Sequence, residues 1–244
     1  ARSRLGRSSH LVGTCQSLDK TYTRLNEAPQ PEQVRPLAVL KRAMAQLQRL
    51  KGAEMGGLAR EASGGKDTRW NYVGDQLRAV RQDLLVQGLH DPACSREGAA
   101  FTVKVYSLNI LWALGAGDLD QFLQCAVPLR GLLRTLRALD LPVEGKIEVE
   151  LLSLRLLHSA LAGHCVEERE VVRDVAAIMD AQSQRPALLT WASAVASAYR
   201  SGNHARYFAL RRASRVAAMG VERAGAVVAE LLLLIFDDGV RREA

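Results

Sequence analysis

Apolar residues recur at helical spacing along most of the chain. From Leu37 to Leu47, and again after Trp70, they repeat every three or four positions, which places them on one face of a helix. The clearest stripes are Leu37, Leu40, Met44 and Leu47; Val73, Leu77, Val80 and Leu84; Phe101, Val105, Leu108 and Trp112; and Ile147, Leu151, Leu154 and Leu161. No stretch alternates convincingly with the period of two that is typical of a strand. The pattern therefore predicts an all-α fold.

Glycine and proline residues divide these stripes into separate helices. Gly88 closes one stripe as a C-cap, because glycine adopts a left-handed backbone without steric cost. Another stripe ends near Gly117, and a third ends at Gly163. Pro142 separates two leucine-rich segments, and Pro186 opens a further helix.

A short motif occurs twice and indicates how the helices are arranged. The strings GDLDQF at residues 117–122 and GNHARY at residues 202–207 share a glycine, a capping Asp or Asn, and an aromatic residue four positions later. The aromatic side chain is expected to pack back on the preceding helix. Two copies of such a helix-turn-helix unit predict stacked antiparallel helix pairs, similar to TPR-like helical repeats.

The first quarter of the chain predicts two basic helices and a loop. Leu11, Cys15, Leu18, Tyr22 and Leu25 follow helical spacing within residues 8–26. Prolines break the pattern in residues 26–36, and the next helix then begins. Residues 52–67 contain five glycines and are predicted to form a flexible loop. Their GGK tripeptide lacks the spacing of a phosphate-binding loop.

The composition fits a folded helical protein whose charge is unevenly placed. Hydrophobic residues make up 48% of the 244 residues, and aromatic residues 5%, which favours helices around a core over sheets or disorder. The longest apolar run, residues 231–236, is far shorter than the roughly 18 residues of a membrane span. The first 51 residues hold ten basic and three acidic side chains, and the remainder holds 23 of each. This basic field suits a polyanion, although a solvated basic end would have the same composition.

Residues with catalytic or metal-binding potential form no recognisable site in the sequence. His158 and His164 are six residues apart, on nearly opposite faces of a helix. His90 and Cys94 lie in a turn that has no oxyanion element nearby. An enzyme would need a deep pocket that gathers His158, Cys165 and a carboxylate. The four scattered cysteines favour reduced thiols. We expect no enzyme activity, no metal and no cofactor.

Two polar sets have both a functional and a structural interpretation. The first set lies on the helix after Trp70 and comprises Arg78, Arg81, Gln82, Asp83 and Gln87. It could form a partner or RNA surface, but we favour buried polar bonds, with Arg81 and Asp83 joining neighbouring helices. The second set is Arg206, Arg211, Arg212 and Arg215, interleaved with Tyr207 and Phe208. We interpret these aromatics as core and the arginines as a possible phosphate surface.

Two longer strings resemble the Sac/GANP family of PCI-domain proteins. The first is GTCQSLDKTYTRL at residues 13–25, followed by AP at 28–29 and VRPLAVLK at 34–41, and the second is DQLRAVRQDLLVQG at 75–88. Weaker matches follow at 101–106, 117–125 and 202–208, so the resemblance covers nearly the whole chain. It is closest to the branch that contains leukocyte receptor cluster member eight and its yeast Thp counterpart. A Cys- and Met-bearing motif of the export-scaffold branch is not seen.

The resemblance implies a scaffold subunit rather than an enzyme. Such proteins carry a helical-repeat PCI subdomain followed by a winged helix, and this sequence stops about where the winged helix would begin. They pair with a second PCI-domain protein and a small acidic Dss/Sem-type subunit. Their assemblies are nuclear, bind nucleic acid, and serve transcription-coupled mRNA processing and export. A purely structural subunit of a lid-type PCI assembly, without nucleic-acid binding, is the alternative.

These observations define the expected domains and phosphate contacts. Residues 1–51 are predicted to form basic N-terminal helices, 52–67 an inserted flexible loop, and 68–244 the helical-repeat PCI subdomain. No membrane partner is expected. Candidate nucleic-acid contacts at the N-terminus are Arg24, Arg35, Lys41 and Arg42, and the second patch is Arg206, Arg211, Arg212 and Arg215.

Overall fold

The computed structural model describes residues 11–24, 27–58, 68–163, 165–181, 186–216 and 233. Within these ranges the chain forms eight α-helices, a short 3-10 turn at Pro31–Gln33, and no strand, so the all-α prediction is confirmed. None of these helices is both long enough and apolar enough to cross a lipid bilayer. The helices are α1 (Leu37–Leu58), α2 (Thr68–Val86), α3 (Arg96–Gly115), α4 (Leu119–Ala138), α5 (Gly145–Ala162), α6 (Cys165–Ala181), α7 (Ala187–Arg200) and α8 (His204–Val216).

The chain divides into two compact units. The first unit contains Ala1–Ala116 and Val127–Leu141, and the second contains Gly117–Ala126 and Pro142–Ala244. Helix α4 therefore contributes its first turns to the second unit and the remainder to the first. The predicted divisions at residues 51 and 67 do not match these boundaries. The physical reason is that α1 packs into the same core as α2 and α3.

The first unit is built on the apolar stripes of α1, α2 and α3. Leu40, Leu77 and Val105, one from each helix, are completely shielded from solvent. Each such side chain contributes about 1.5–3 kcal/mol on burial, so these stripes hold the three helices together. The stripes that the sequence predicts supply all eleven residues of the central core cluster: Leu40, Met44, Leu47, Val73, Leu77, Val80, Leu84, Phe101, Val105, Leu108 and Trp112.

The second unit is organised around α5, which packs against α6 and α7, while α7 also packs against α8. Residues 151–161 of α5 are all buried. The two buried serines of this helix bond to its own backbone: the hydroxyl of Ser153 donates to Val149 O at 2.7 Å, and that of Ser159 donates to Arg155 O at 2.8 Å. Satisfying these hydroxyls inside the helix allows α5 to be buried almost all round.

The repeated glycine-cap-aromatic motif is present as two similar helix starts. Asp118 Oδ1 accepts from the backbone N–H of Gln121 at 2.9 Å, and Asn203 Oδ1 accepts from that of Arg206 at 3.0 Å. The glycines before them have φ angles of +70° and +65°. The two aromatic residues, Phe122 and Tyr207, are fully buried. The predicted caps are therefore confirmed at both positions.

The aromatic residues of the motif have different neighbours. Tyr207 packs on Tyr199 of the preceding helix, with ring centroids 6.2 Å apart, as the sequence predicts. Phe122 contacts the ring of His158 in the following helix α5 at 5.5 Å. In both cases the side chain anchors the first turn of its helix in the interior of the second unit.

The predicted N-terminal helix within residues 8–26 is wrong for its described part. Residues 11–24 contain no helix. Their backbone bonds instead to other segments: Thr14 N–H donates to Pro31 O at 2.8 Å, and Cys15 N–H donates to Val34 O at 3.0 Å. Helical spacing was not sufficient for the prediction, because these backbone hydrogen bonds to other segments replace the intrahelical hydrogen bonds that a helix would form.

The predicted flexible loop at residues 52–67 is also partly wrong. Helix α1 continues to Leu58 and includes three of the five glycines. Glycine weakens a helix by only about 1 kcal/mol relative to alanine, and no proline interrupts this stretch. Residues 59–67 lie outside the described residues.

Candidate functional site

An extended segment, residues 13–24, lies along α2, and we call it the strap. It runs in the opposite direction to the helix, with Gly13 beside Gln87 and Lys20 beside Gln76. At each place a backbone N–H of the strap donates to a glutamine Oε1 at 3.0 Å. Side chains of α2 thus satisfy backbone groups that have no secondary-structure partner. The two strings that resemble the Sac/GANP family therefore contact each other.

Asp83 is the electrostatic centre of this contact. Arg35 Nε donates to Asp83 Oδ2 at 2.7 Å, and Lys20 Nζ donates to Oδ1 at 2.5 Å. The side chains of Arg35 and Asp83 are 0% and 1% exposed. Arg35 Nη1 also donates to Leu18 O in the strap at 2.9 Å. One buried carboxylate therefore joins α2 to both the strap and the segment before α1, and removing it would leave a buried cation without its counter-charge.

Gln87 completes the buried network at the C-terminal end of α2. Its Nε2 donates to Arg35 O at 2.9 Å and to Asp83 O at 2.8 Å, while its Oε1 accepts from Gly13. The amide of Gln87 thus has partners at both of its polar atoms, as a buried amide requires.

Two further hydrogen bonds, both exposed to solvent, join the edge of the strap to α2. Tyr72 OH donates to Asp19 Oδ1 at 2.7 Å, and Gln82 Nε2 donates to Thr23 O at 2.9 Å. The hydrogen bond to Asp19, together with desolvation and the negative charge of that carboxylate, raises the pKa of Tyr72. The phenol therefore stays protonated and remains a donor at neutral pH.

Sequence reasoning missed Gln76 and Lys20 as members of this network. Gln76, Asp83 and Gln87 are separated by seven and four residues, so they share one face of α2 beside its apolar stripe. The signal available in the sequence was this spacing of polar residues along the edge of an apolar stripe. The position of Lys20 had no local signal, because its partners lie 56 and 63 residues away.

Gly13→Ala is expected to lower the free energy of unfolding by about 1–3 kcal/mol. A Cβ atom at this position would lie 2.2 Å from Val34 O and 2.6 Å from Val34 C, and both are backbone atoms. The strap would have to shift, which would strain its bonds to Gln87 and Val34. Equilibrium urea denaturation measures the effect.

Gly74→Ala in α2 is the matched control for Gly13→Ala. A Cβ atom there would meet nothing within 4 Å, so the substitution is expected to be neutral or to stabilise the helix by up to about 1 kcal/mol. A Gly13 variant as stable as the Gly74 variant would contradict the close approach of the strap to Val34.

The predicted polar motif of α2 has a mixed environment. Asp83 and Gln87 are buried, but their partners are the strap and the segment before α1, so the expected link from Asp83 to a neighbouring helix is replaced by these contacts. Arg81 places its guanidinium carbon 6.0 Å from the ring centroid of Tyr106 in α3, within cation–π range. Gln82 is half-buried beside Thr23. Arg78 Nη1 lies 3.3 Å from Asp75 Oδ1 in a partly exposed pair.

The N-terminal phosphate candidates do not share one environment. Arg35 is completely buried and bonded to Asp83, so its prediction as a phosphate contact is wrong. The sequence could not reveal this, because the counter-charge lies 48 residues away. Lys41 is half-exposed and ion-paired with Glu97. Arg24 and Arg42 are exposed and remain candidates.

The second patch of arginines is also divided. Arg206 and Arg212 are exposed, whereas Arg211 is only 5% exposed, so its prediction as a phosphate contact is wrong. Arg211 follows the buried Tyr207 by one helical turn and therefore lies on the same inward face of α8. The side chain of Arg215 lies outside the described residues. Phe208, half-buried, contacts the Tyr207 ring edge-on at 5.2 Å.

The residues weighed for catalysis are not gathered into one site by the described structure. His158 is buried against Phe122, and the side chains of His164 and Cys165 lie outside the described residues. Desolvation and the nearby Asp91 raise the pKa of the Cys94 thiol, which opposes its activation as a nucleophile. Within the described ranges, no group of three or more His, Cys, Asp or Glu side chains is arranged to hold a metal ion.

A cavity of about 270 Å³ lies beside the strap. Its walls combine apolar Pro29, Val34 and Val86 with polar Lys20 and Asp83. The last two residues bind each other, so these two charged groups of the lining are already engaged in the strap network.

Comparisons with known proteins find similarity across most of the chain. The profile of the SAC3/GANP family matches residues 14–224, a span that includes α2 and all of the strap except Gly13. SAC3 family protein A of Arabidopsis thaliana is 32% identical over 200 residues, which cover 81% of this chain and 16% of that protein. Protein THP3 of Saccharomyces cerevisiae is 34% identical over 116 residues, 48% of this chain and 20% of that protein. A Leukocyte receptor cluster member 8 homolog of Xenopus laevis is 32% identical over 122 residues, 50% of this chain and 13% of that protein. The chain thus spans a fifth or less of the length of these three relatives.

Proposed function

The chain belongs to the SAC3/GANP family, and on this premise we propose that it is a non-catalytic scaffold subunit of a nuclear mRNA-processing and export assembly. In that role it binds a second PCI-domain protein and RNA. The observation that carries the proposal is the family match over residues 14–224, which includes all of the strap except Gly13, the core of the first unit and helices α5–α8.

The organisation of the first unit supports a scaffold role. The strap joins the N-terminal segment to α2 through a buried carboxylate and two glutamine amides. Buried polar bonds of this kind require one defined arrangement of the chain, because each misplaced group would lose its partner. A rigid, helical surface can present the same side chains repeatedly to a partner protein.

The charge distribution supports the proposed partners. The first 51 residues carry an excess of seven basic side chains, which is complementary to RNA and to a small acidic Dss/Sem-type subunit. Arg24, Arg42, Arg206 and Arg212 are exposed. Arginine suits this role because its planar guanidinium group binds phosphate with two parallel hydrogen bonds.

RNA affinity is expected to fall steeply as the salt concentration rises from about 50 to 200 mM. Replacing both Arg206 and Arg212 with Gln is expected to reduce the slope of log K against log salt by about 1.4, because each phosphate contact on a single strand contributes about 0.7. Fluorescence anisotropy with a labelled single-stranded RNA measures both quantities.

Arg169→Gln with Arg173→Gln provides the control for this charge change. Both residues are exposed on α6, so the double variant alters the net charge equally at another place. An RNA affinity that does not depend on salt, or no affinity, would remove RNA from the proposal and leave the protein-scaffold role to be tested separately.

The alternative is a purely structural subunit of a lid-type PCI assembly without a nucleic-acid role. It is favoured by the burial of Arg35 and Arg211, which removes two of the eight candidate phosphate contacts. Reversing the charge of the exposed pair Arg206 and Arg212 to Glu discriminates the hypotheses. Loss of assembly with unchanged RNA binding would assign these arginines to a protein partner.

Affinity purification of the full-length protein, followed by mass spectrometry, tests the scaffold proposal directly. We expect a second PCI-domain protein and a small acidic subunit to co-purify with it. Recovery of the protein without either partner under mild salt would contradict this assignment.

A further inference from the structure

The second half of α4 carries a row of three arginines, separate from the phosphate candidates of the strap, α1 and α8. Arg130, Arg134 and Arg137 are spaced by four and three residues, so they lie on one side of the helix. The row extends about 10 Å along the helix axis, because each residue adds about 1.5 Å. All three residues belong to the first unit.

The row is held on a rigid element and faces outward. Arg134 and Arg137 are exposed, and Arg130 is half-buried. The opposite side of the helix carries the buried Leu132 and Leu136. The backbone beneath the arginines is therefore anchored in the core, so a ligand has to order only their side chains and not the backbone that carries them.

The sequence of α4 gives the row a strong local charge. Residues 121–139 contain three arginines and no Asp or Glu. Like charges one helical turn apart weaken a helix, and a bound anion relieves their repulsion. Each guanidinium group has five N–H donors, so a contact within the protein still leaves donors for a phosphate.

The exposed surface beside the row, between Arg130 and Arg137, favours a backbone ligand over a folded protein surface. A Cβ atom added at Gly131 would meet nothing within 4 Å, and the neighbouring Thr135 is exposed. Protein partners gain most of their affinity from apolar or aromatic anchors buried in pockets, which this short polar stretch does not provide. Phosphate contacts alone can supply non-specific affinity for nucleic acid.

We propose that Arg130, Arg134 and Arg137 bind the sugar-phosphate backbone of single-stranded RNA. This inference rests on the proposed function and names a contact surface for it in the first unit. The single aromatic side chain of α4, Phe122, is buried, so the helix offers no platform on which bases can stack. Binding at the row is therefore independent of base sequence.

The test uses the full chain, a labelled oligouridylate and a labelled oligoadenylate of about 15 nucleotides, within the usual site sizes for single strands. Replacing Arg134 and Arg137 with Gln is expected to weaken binding of both RNAs about tenfold at about 0.1 M salt and to lower the salt slope by about 1.4. The control, Arg169→Gln with Arg173→Gln, has the same charge change on α6 and is expected to bind nearly as the unmodified chain does.

The outcomes separate this inference from the proposed function. If the unmodified chain binds RNA and the Arg134/Arg137 variant binds it as the control does, the row is not an RNA contact, while the RNA-binding proposal stands. If the unmodified chain binds no RNA, both fail. Binding of a polyglutamate peptide that the substitutions abolish, with RNA binding unchanged, would also refute the row as an RNA contact.

Discussion

Replacing Asp83 with Asn is expected to lower the free energy of unfolding by about 3–5 kcal/mol. The substitution removes the charge that faces the guanidinium group of Arg35, whose side chain is 0% exposed. That cation would remain in the interior without its counter-charge. Lys20, whose side chain is 19% exposed, would lose the same partner but could turn toward solvent. Equilibrium denaturation in urea provides the measurement.

Two further variants identify the cause of the loss. Asp75→Asn changes a carboxylate of the same helix whose side chain is 47% exposed and which pairs with Arg78; such surface pairs contribute about 0–1 kcal/mol. Replacing Arg35 with Met and Asp83 with Leu together is expected to recover much of the stability, because both buried charges disappear. An Asp83→Asn variant as stable as Asp75→Asn would show that the buried ion pair is not present in solution.

Phe122→Ala is expected to destabilise the second unit by about 3–5 kcal/mol. The side chain is completely buried, packs on the ring of His158, and anchors the first turn of α4 behind its Asp118 cap. Its removal leaves a cavity that the surrounding helices fill only in part. The loss of stability is measured by thermal and urea unfolding of the full chain.

Leu123→Ala is the matched control, since Leu123 is the next residue in α4 and is half-buried. Its truncation is expected to cost clearly less, because the apolar area that it removes from the interior is smaller. Equal losses for the two variants would contradict the anchoring role of the aromatic position in the repeated motif.

Local patterns in the sequence predict most of the helical framework. The stripes that include Leu40, Leu77 and Val105 form the first core, because three- and four-residue spacing reports directly which side of a helix is buried. The caps at Asp118 and Asn203 were also predictable, since they depend on a few adjacent residues.

The strap was not predictable in the same way. Its apolar residues have helical spacing, but its conformation is set by hydrogen bonds to residues 56 and 74 positions away, Gln76 and Gln87. A short helix gains little stability on its own, so the long-range bonds determine that the strap is extended rather than helical. The family resemblance indicated that residues 13–25 and 75–88 are both specific, but not that they contact each other.

The candidate phosphate contacts show the same limit of local reasoning. A composition rich in arginine predicts a basic protein, but it does not separate exposed arginines from those that bond a buried carboxylate. Arg35 and Arg211 are interior, whereas Arg24, Arg42, Arg206 and Arg212 are exposed. Burial depends on the tertiary position of each side chain and on the distant groups that surround it.

Amide hydrogen exchange in the strap tests the central structural claim most directly. The N–H groups of Gly13, Cys15 and Lys20 donate to Gln87, Val34 and Gln76. We predict that these amides exchange at least about tenfold more slowly than in an unstructured chain, and that Asp83→Asn removes this protection. Exchange of all three amides at the unstructured rate in the unmodified protein would contradict the docking of the strap on α2.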